Sequence, residues 1–317
     1  YGLSGMAVVQ GLAEGFATQL DVLLKADDLS RFSALAGQEL DGRSDLALAG
    51  RVTPLSGEFD VQIKGTTQDL AIGVAQADAL LRGRTVLDGL AKRTTDGTFL
   101  RDLSLRNAAL NLSGDAELRS EGSRAELNAT LKNIGTVLPQ YSGPVQAAVV
   151  ATQDTSGWRI EAQTDGPYRA VATVNGAVTP AVDIRFDLDV PEVRPLAEQL
   201  KGPLKATGTV KQTDKGFFID TAASGPFGAK ALVEGLATGP DMALTFDVSL
   251  PDVRPLAPGV SGPLAAKGVL RQTPAGIAVD TNATGPYATR ASVQGVVTGP
   301  NAAVDFTLAM PNIGAVV

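Results

Sequence analysis

Acids and arginines set at a fixed interval are the side chains of this sequence best suited to chemistry. Asp183, Asp187, Asp189, Asp247 and Asp305 lie in three related segments, and Arg194 and Arg254 recur 60 residues apart in the tetrapeptide V-R-P-L. Carboxylates repeated this way invite a calcium reading. Calcium-binding repeats, however, gather their acids in tight Gly/Asp turns, whereas these alternate along a strand pattern and are expected to solvate one face of it. The arginines offer a partner for a phosphate group at a margin, or a cap or salt bridge for the connector that carries them; the second is the expected use. The chain has no Cys and no His. Zinc sites of the Cys/His kind, Cys nucleophiles and Ser-His-Asp triads are therefore excluded within it, and the expectation is a protein that is not an enzyme and needs no cofactor or metal.

The elements that carry these residues repeat. Gly176, Gly235 and Gly295 follow one another at 59 and 60 residues, as do the [SK]-G-P tripeptides at 142–144, 201–203 and 261–263 and the tetrapeptides D-G-P-Y, S-G-P-F and T-G-P-Y that begin at 165, 224 and 284. Full units run over about 134–192, 193–252 and 253–312. Degenerate units fill 1–29, 30–70 and 71–133, marked by Gly11, Gly50 and Gly114, so 1–317 reads as one continuous array. Each full unit ends in an alternating segment that stops at proline: V-D-I-R-F-D-L-D-V-P, M-A-L-T-F-D-V-S-L-P and A-A-V-D-F-T-L-A-M-P. Alternation of this kind makes a strand with one apolar and one wet face. In the last unit four strands are expected, at about 264–271, 277–283, 289–297 and 302–310, joined by the turns T-P-A-G, T-G-P-Y and T-G-P-N. Turns so short join antiparallel neighbours. The proline-rich connectors belong at the sheet margin, and those at Pro191–Pro203 and Gln76–Gly83 have room for a turn or two of helix.

What covers the apolar side is the functional question. No amphipathic helices recur to shield it. A unit of 60 residues is smaller than the ~100 that close an immunoglobulin-like sandwich, so units must share one sheet. Aromatics are only 5% of the chain, and inward positions such as Ala206, Gly208, Ala231, Ala266, Gly268 and Ala291 are small, which leaves room or lets the sheet bend. The expected fold is all-β: a long antiparallel repeat sheet curled into a U-shaped groove with an apolar lumen, and short helical turns at its margin. About 20 strands at ~4.8 Å would make a trough roughly 100 Å long. A row of acyl chains fills such a trough simply, each buried methylene contributing about 0.8 kcal/mol. A dry sandwich or solenoid is the other reading of the pattern. Tyr168, Phe227 and Tyr287, each after Gly-Pro, are expected to plug the groove edge by packing, with lipid contact as the alternative. Trp158 is expected to pack inward.

Net charge is −7 with no Lys/Arg-rich run, which argues against nucleic acid and anionic head groups as electrostatic partners. The longest apolar runs, such as Ala147–Ala151, fall far short of the roughly 18–20 residues of a membrane span. The chain opens on Tyr1 and its last unit breaks off near Pro311-Asn312-Ile313, so an excerpt of a longer protein is expected.

The one-sided strands ending in L/V-x-P-x-V or L-K-N-I, together with Q-A-D-A-L-L-R-G-R-T…D-G-T-F-L-R-D-L-S-L…A-L-N-L-S-G-D-A-E-L over Gln76–Leu118, resemble the TamB family of Gram-negative bacteria within the AsmA-like superfamily. The resemblance covers essentially the whole chain in the style of that family's repeat region. It implies a periplasmic protein, held in the inner membrane by an N-terminal helix that this sequence lacks, whose repeating, taco-like β-groove carries phospholipids between the inner and outer membranes. It also implies an alternative role as scaffold or chaperone in outer-membrane protein assembly, with an outer-membrane barrel of the TamA type as partner through regions absent here; a dry structural stalk is the remaining alternative. Only the groove carries over residue by residue, onto Val182, Ile184, Phe186, Leu188 and Val190, then Met242, Leu244, Phe246, Val248 and Leu250, then Val304, Phe306, Leu308 and Met310.

Overall fold

The computed structural model describes residues 2–9, 16–37, 39–120, 122–139, 141–194, 200–298 and 302–311. Gly11 lies outside them, as do residues 195–199 of the Pro191–Pro203 connector. The fold is all-β, with twenty strands assigned to one antiparallel sheet. Two compact units divide the chain, 1–167 and 168–317.

The first unit holds β1 (Gly2–Val9), β2 (Thr18–Ala26), β3 (Asp41–Thr53), β4 (Glu58–Ala71), β5 (Arg84–Thr94), β6 (Gly97–Arg106), β7 (Leu110–Leu118), β8 (Arg124–Leu131), β9 (Val145–Asp154) and β10 (Gly157–Asp165). Each pairs antiparallel with the next in sequence. The second unit holds β11 (Val171–Ala177), β12 (Asp183–Val190), β13 (Leu204–Thr213), β14 (Gly216–Ser224), β15 (Lys230–Leu236), β16 (Ala243–Leu250), β17 (Leu264–Thr273), β18 (Gly276–Thr284), β19 (Arg290–Val296) and β20 (Ala303–Ala309). These too pair in sequence order. The four strands expected in the last unit are β17 to β20, with ends within two residues of expectation.

Among the described residues α-helix occurs only in connectors of the first unit: α1 (Ser33–Ala36) after a 3-10 turn at Leu29–Phe32, and α2 (Ala75–Leu80), where a helical turn was expected. Asn107 ties the second of these down. Its Nδ2 donates to the Leu80 carbonyl at 2.8 Å and to Thr85 Oγ1 at 3.0 Å, while its Oδ1 accepts from the Ala109 and Leu110 amides.

The first unit departs from clean alternation at β5 and β6. The register slips between Asp88 and Leu90 and again between Leu100 and Leu103. At the second slip Asp102 takes φ +52°, and its amide donates to Asp115 Oδ1 at 2.9 Å. Both slips place one extra residue in β6, which turns the side chains that follow it in that strand to the other face; on β5, Val86 and Leu90 stand exposed beside Asp88 and Arg106.

Elsewhere the wet face is a ladder of opposite charges. Asp189 faces Lys205, Asp183 faces Lys211 and Asp247 faces Lys267 across adjacent strands, and the three pairs are ion-paired at 2.5, 3.7 and 2.7 Å. Lys25–Asp45, Lys64–Asp88 and Lys92–Asp60 repeat the device in the first unit. Cross-strand neighbours on one face approach closely enough for such pairing, so three of the five acids at first suited to calcium are partners of lysines.

Very little of the protein is a closed core. Nine hydrophobic residues are buried among those described: Ala17, Ala26, Leu81, Ala91, Leu131, Val190, Val193, Leu250 and Val253. Four of these, Ala26, Leu131, Val190 and Leu250, are the last residue of a strand, where its connector begins. The chain exposes 19,189 Å², where a closed globule of this size would expose roughly 12,000 Å². The excess is that of an open sheet rather than a packed globule.

Candidate functional site: an apolar sheet face

Register in the second unit sorts the apolar face into three rows, each crossing all ten strands. The middle row reads Val174, Phe186, Gly208, Thr221, Val233, Phe246, Gly268, Thr281, Val293, Phe306. On the connector side lies a row of small residues, Ala206, Ala223, Ala231, Ala266, Ala283 and Ala291, interrupted at every fourth strand by Leu188, Val248 or Leu308. The third row is aliphatic, from Ile184 through Val210, Ile219, Leu244, Leu270 and Val279 to Val304, with Gly176, Gly235 and Gly295 set into it. No residue in the three rows is charged.

Each glycine in these rows has a steric task. Phe186 lies over Gly208 and Phe246 over Gly268: a Cβ at either glycine would fall 2.8 or 2.7 Å from the ring Cζ. Aromatic cover of a cross-strand glycine restores the surface that the missing side chain leaves bare. Gly235 has φ +137°, a region that residues with a Cβ avoid, and a Cβ there would run into the Ala243 carbonyl oxygen of the next strand. Gly176 and Gly295 repeat that geometry against Asp183 and Ala303. These are the glycines that mark the sequence period, and the positive φ and close carbonyl at each call for a residue without a Cβ.

The expected lining residues all belong to the second unit, in or beside the fourth strand of each repeat. Ile184, Phe186 and Leu188 in β12, and Leu244 and Phe246 in β16, are half-buried, as are Val182 and Met242 just before those strands. Val248 is 40% exposed. Val190 and Leu250 are buried at the connectors and present little surface to a ligand. Val304, Phe306 and Leu308 in β20, and Met310 after it, are exposed, because no strand covers the far side of β20 among the described residues. Sequence reasoning placed the lining on the fourth strands and left out Ile219, Thr221, Val233, Val279, Thr281 and Val293. The same two-residue alternation in β14, β15, β18 and β19 carried that signal.

In each unit connectors and hairpin tips build a margin of the sheet. Ile134, Val193 and Val253 amides donate to the Gly143, Gly202 and Gly262 carbonyls at 2.8, 3.0 and 3.0 Å. A side chain locks each neck from the other direction. Asn133 Oδ1 accepts from the Gly135 and Gly143 amides, Glu192 Oε1 from Arg194 and Gly202, and Asp252 Oδ1 from Arg254 and Gly262. The glycines of the [SK]-G-P tripeptides pack on the prolines of the hairpin tips: Cβ atoms at Gly143 and Gly262 would lie 2.7 and 3.4 Å from Pro167 and Pro286. At the tips Tyr168, Phe227 and Tyr287 take φ of 62°, 61° and 58°, half-buried at the edge. Tyr287 joins Val260, Leu264, Pro286, Leu308 and Met310 around a carbon-lined hollow of about 310 Å³. Trp158 is half-buried in β10, on the same face as Ile160.

Arg254 serves as a cap, as expected: its guanidinium bonds the Asp252 carboxylate through Nε at 2.6 Å. That guanidinium, with the Arg254 and Gly262 amides, holds the Asp252 carboxyl down to about 2, from an ordinary 3.8. Glu192 is lowered too, by the Arg194 and Gly202 amides. Since the folded-state pKa lies below the unfolded one, the Asp252 clamp contributes fully above about pH 4 and is lost as pH falls through about 2. A carbon-detected NMR titration should place the Asp252 midpoint near 2, and Arg254→Ala should move it upward; a midpoint at the ordinary value in the intact protein would show that the clamp is not formed.

Hollows also lie on the wet face, one of about 410 Å³ beside Lys205, Lys230, Leu232, Asp247 and Ser249. Lys205 and Asp247 belong to the ion-paired ladder. Among the described residues no group of three or more Asp, Glu, His or Cys is placed to hold a metal ion, and no helix is long and apolar enough to cross a membrane. What the three rows offer is a charge-free surface. Comparisons of the chain with protein-family models, with curated proteins and with solved structures found no match in any of the three.

Proposed function

We propose that this chain is part of a non-enzymatic phospholipid conduit, of the kind the TamB resemblance implies, working in the periplasm between inner and outer membrane. Acyl chains lie along the apolar face while the charge ladder faces water. The observation that carries this reading is the three-row, charge-free face that the protein leaves half-buried. A water-exposed apolar surface so extended would drive aggregation unless something covers it. Acyl chains suit it because they need no directional partner, and the rows supply hardly any: Thr221 and Thr281 are their only polar side chains. Alanine rows favour the same reading, since they leave depth beside the Phe, Leu and Val ridges that a packed protein core would fill. A barrel partner of the TamA type would bind through other parts of a longer protein.

Mass spectrometry of organic extracts from the purified chain tests this. Phospholipids should be retained through purification and released on unfolding. A folded chain that carries no acyl lipid, and takes none up from vesicles, would remove the proposal.

A further inference from the structure

The ladder of opposite charges breaks at the connector margin of the first unit. On the wet face there Lys25 faces Asp45, Lys64 faces Asp88 and Lys92 faces Asp60, each cation one strand from its acid. In the row nearer the connectors, Arg43 of β3 opposes Gln68 of β4, and Gln68 opposes Arg84 of β5. A neutral amide stands where the ladder would set a carboxylate. Two guanidiniums flank it on the same face, their backbones about 10 Å apart. Neither guanidinium has an ion-pair partner among the described residues, and both arginines are exposed.

These residues line a hollow of about 510 Å³ together with Lys25, Asp27 and Asp45. Lys25 and Asp45 are paired at 3.5 Å, which leaves Asp27 as the one acid of the hollow set against two arginines. Its floor is pinned in place. Gln68 Nε2 donates to Asp69 Oδ2 at 3.0 Å, Asp69 Oδ1 accepts from the Gly83 amide at 2.8 Å, and the Gly83 carbonyl accepts from the Asp69 amide at 3.0 Å. Those bonds tie the end of β4 to the start of β5 and occupy the carboxylate beside Gln68. The second unit repeats the arrangement: Lys205 opposes Ser224, and Ser224 opposes Lys230, beside the hollow of about 410 Å³. There Lys205 is already held by Asp189, so the first-unit row is the stronger of the two. Guanidinium forks bind phosphate oxygens two at a time and keep their charge. Arg43 and Arg84 come together only through strand pairing, so no basic run in the sequence marks them.

We propose that Arg43 and Arg84 close over Gln68 on one phosphate ester, on the wet face of the first unit. The ligand must present a phosphoryl group with at least two free oxygens, one for each guanidinium. A phospholipid head group and a soluble phosphate ester share that chemistry. The site uses no acyl chain, so it stands or falls separately from the conduit reading.

Two measurements on the 317-residue chain test it, both at fixed ionic strength because exposed charges are screened by salt. Calorimetry follows titration with inorganic phosphate and with glycerol 3-phosphate. Flotation follows binding to vesicles of phosphatidylcholine alone and of phosphatidylcholine mixed with phosphatidylglycerol. Circular dichroism of each variant establishes that it is folded. Saturable binding is expected in at least one arm: a soluble ester if calorimetry shows it, a head group if only the phosphatidylglycerol vesicles do. Arg43→Gln and Arg84→Gln should each weaken that binding about tenfold, and Arg43→Lys should fall between them and the intact chain, since it keeps the charge and loses the fork. Arg271→Gln, which removes a wet-face cation of the second unit, should change nothing, and behaviour toward phosphatidylcholine alone should be the same in all variants. Absence of binding in both arms overturns the proposal. So does binding that survives Arg43→Gln and Arg84→Gln, and so does equal weakening by Arg271→Gln, which would be diffuse attraction to positive charge.

Discussion

Gly235→Val is expected to be the most damaging single change in the second unit, lowering stability by about 3 kcal/mol or more. Two effects combine. The φ of +137° must be abandoned or held under strain, and the new Cβ meets the Ala243 carbonyl oxygen, a backbone atom that cannot swing aside. Relief requires β15 and β16 to part, which breaks the row that joins Ile219 to Leu244. Gly57→Ala makes the control: its φ is +70° but nothing lies within 4 Å of the added Cβ, so strain alone operates, at about 1 kcal/mol. Urea denaturation gives the difference, and hydrogen exchange should show protection lost first in β15 and β16, since arrays of repeats fail locally. Equal midpoints for the two variants would mean that the close approach at Gly235 does not matter.

Leu244→Arg separates an open apolar face from a dry core. Leu244 is half-buried at the centre of the aliphatic row. On an open face the arginine stem lies along its neighbours and the guanidinium reaches water, so the fold should survive with a loss of about 1 kcal/mol. Acyl retention should not survive intact. Displacing even two methylenes forfeits about 1.6 kcal/mol, roughly a tenfold drop in retained lipid. In a dry core the same change would bury an unpaired charge at about 3–5 kcal/mol and unfold the unit. A thermal melt read beside lipid extraction distinguishes the two: a folded, lipid-poor variant supports the open face, and an unfolded one contradicts it.

Much of this was legible in the chain because the side-chain period of a strand is two and the turns are chemically marked. T-P-A-G and T-G-P-N set β17 to β20 to within two residues, and Phe186, Phe246 and Phe306 fall in one row as the alternation requires. Gly176, Gly235 and Gly295 were visible as landmarks, but their backbone angle and the carbonyl behind each were not, since a close approach depends on a partner strand that sequence does not locate. The same limit hid the margin. Nothing in the sequence marks Glu192 and Asp252, yet each accepts two amides across a connector ten residues long. The slips along β6 left no signal because a bulge needs only one extra residue and leaves no compositional mark. Val190 and Leu250 share the apolar parity of their strands, and only the folded connector shows that they are covered.

The most direct measurement places a photoreactive side chain at position 246 and, separately, at 245, then identifies what each captures in cells. Phe246 faces the charge-free rows, and Thr245 is an exposed neighbour on the wet side, its hydroxyl bonded to the Glu234 carbonyl at 3.0 Å. Phospholipid adducts at 246 and none at 245 are the result expected of a one-sided acyl surface. Adducts in equal amount at both positions, or protein captured at 246 with no lipid, would contradict it.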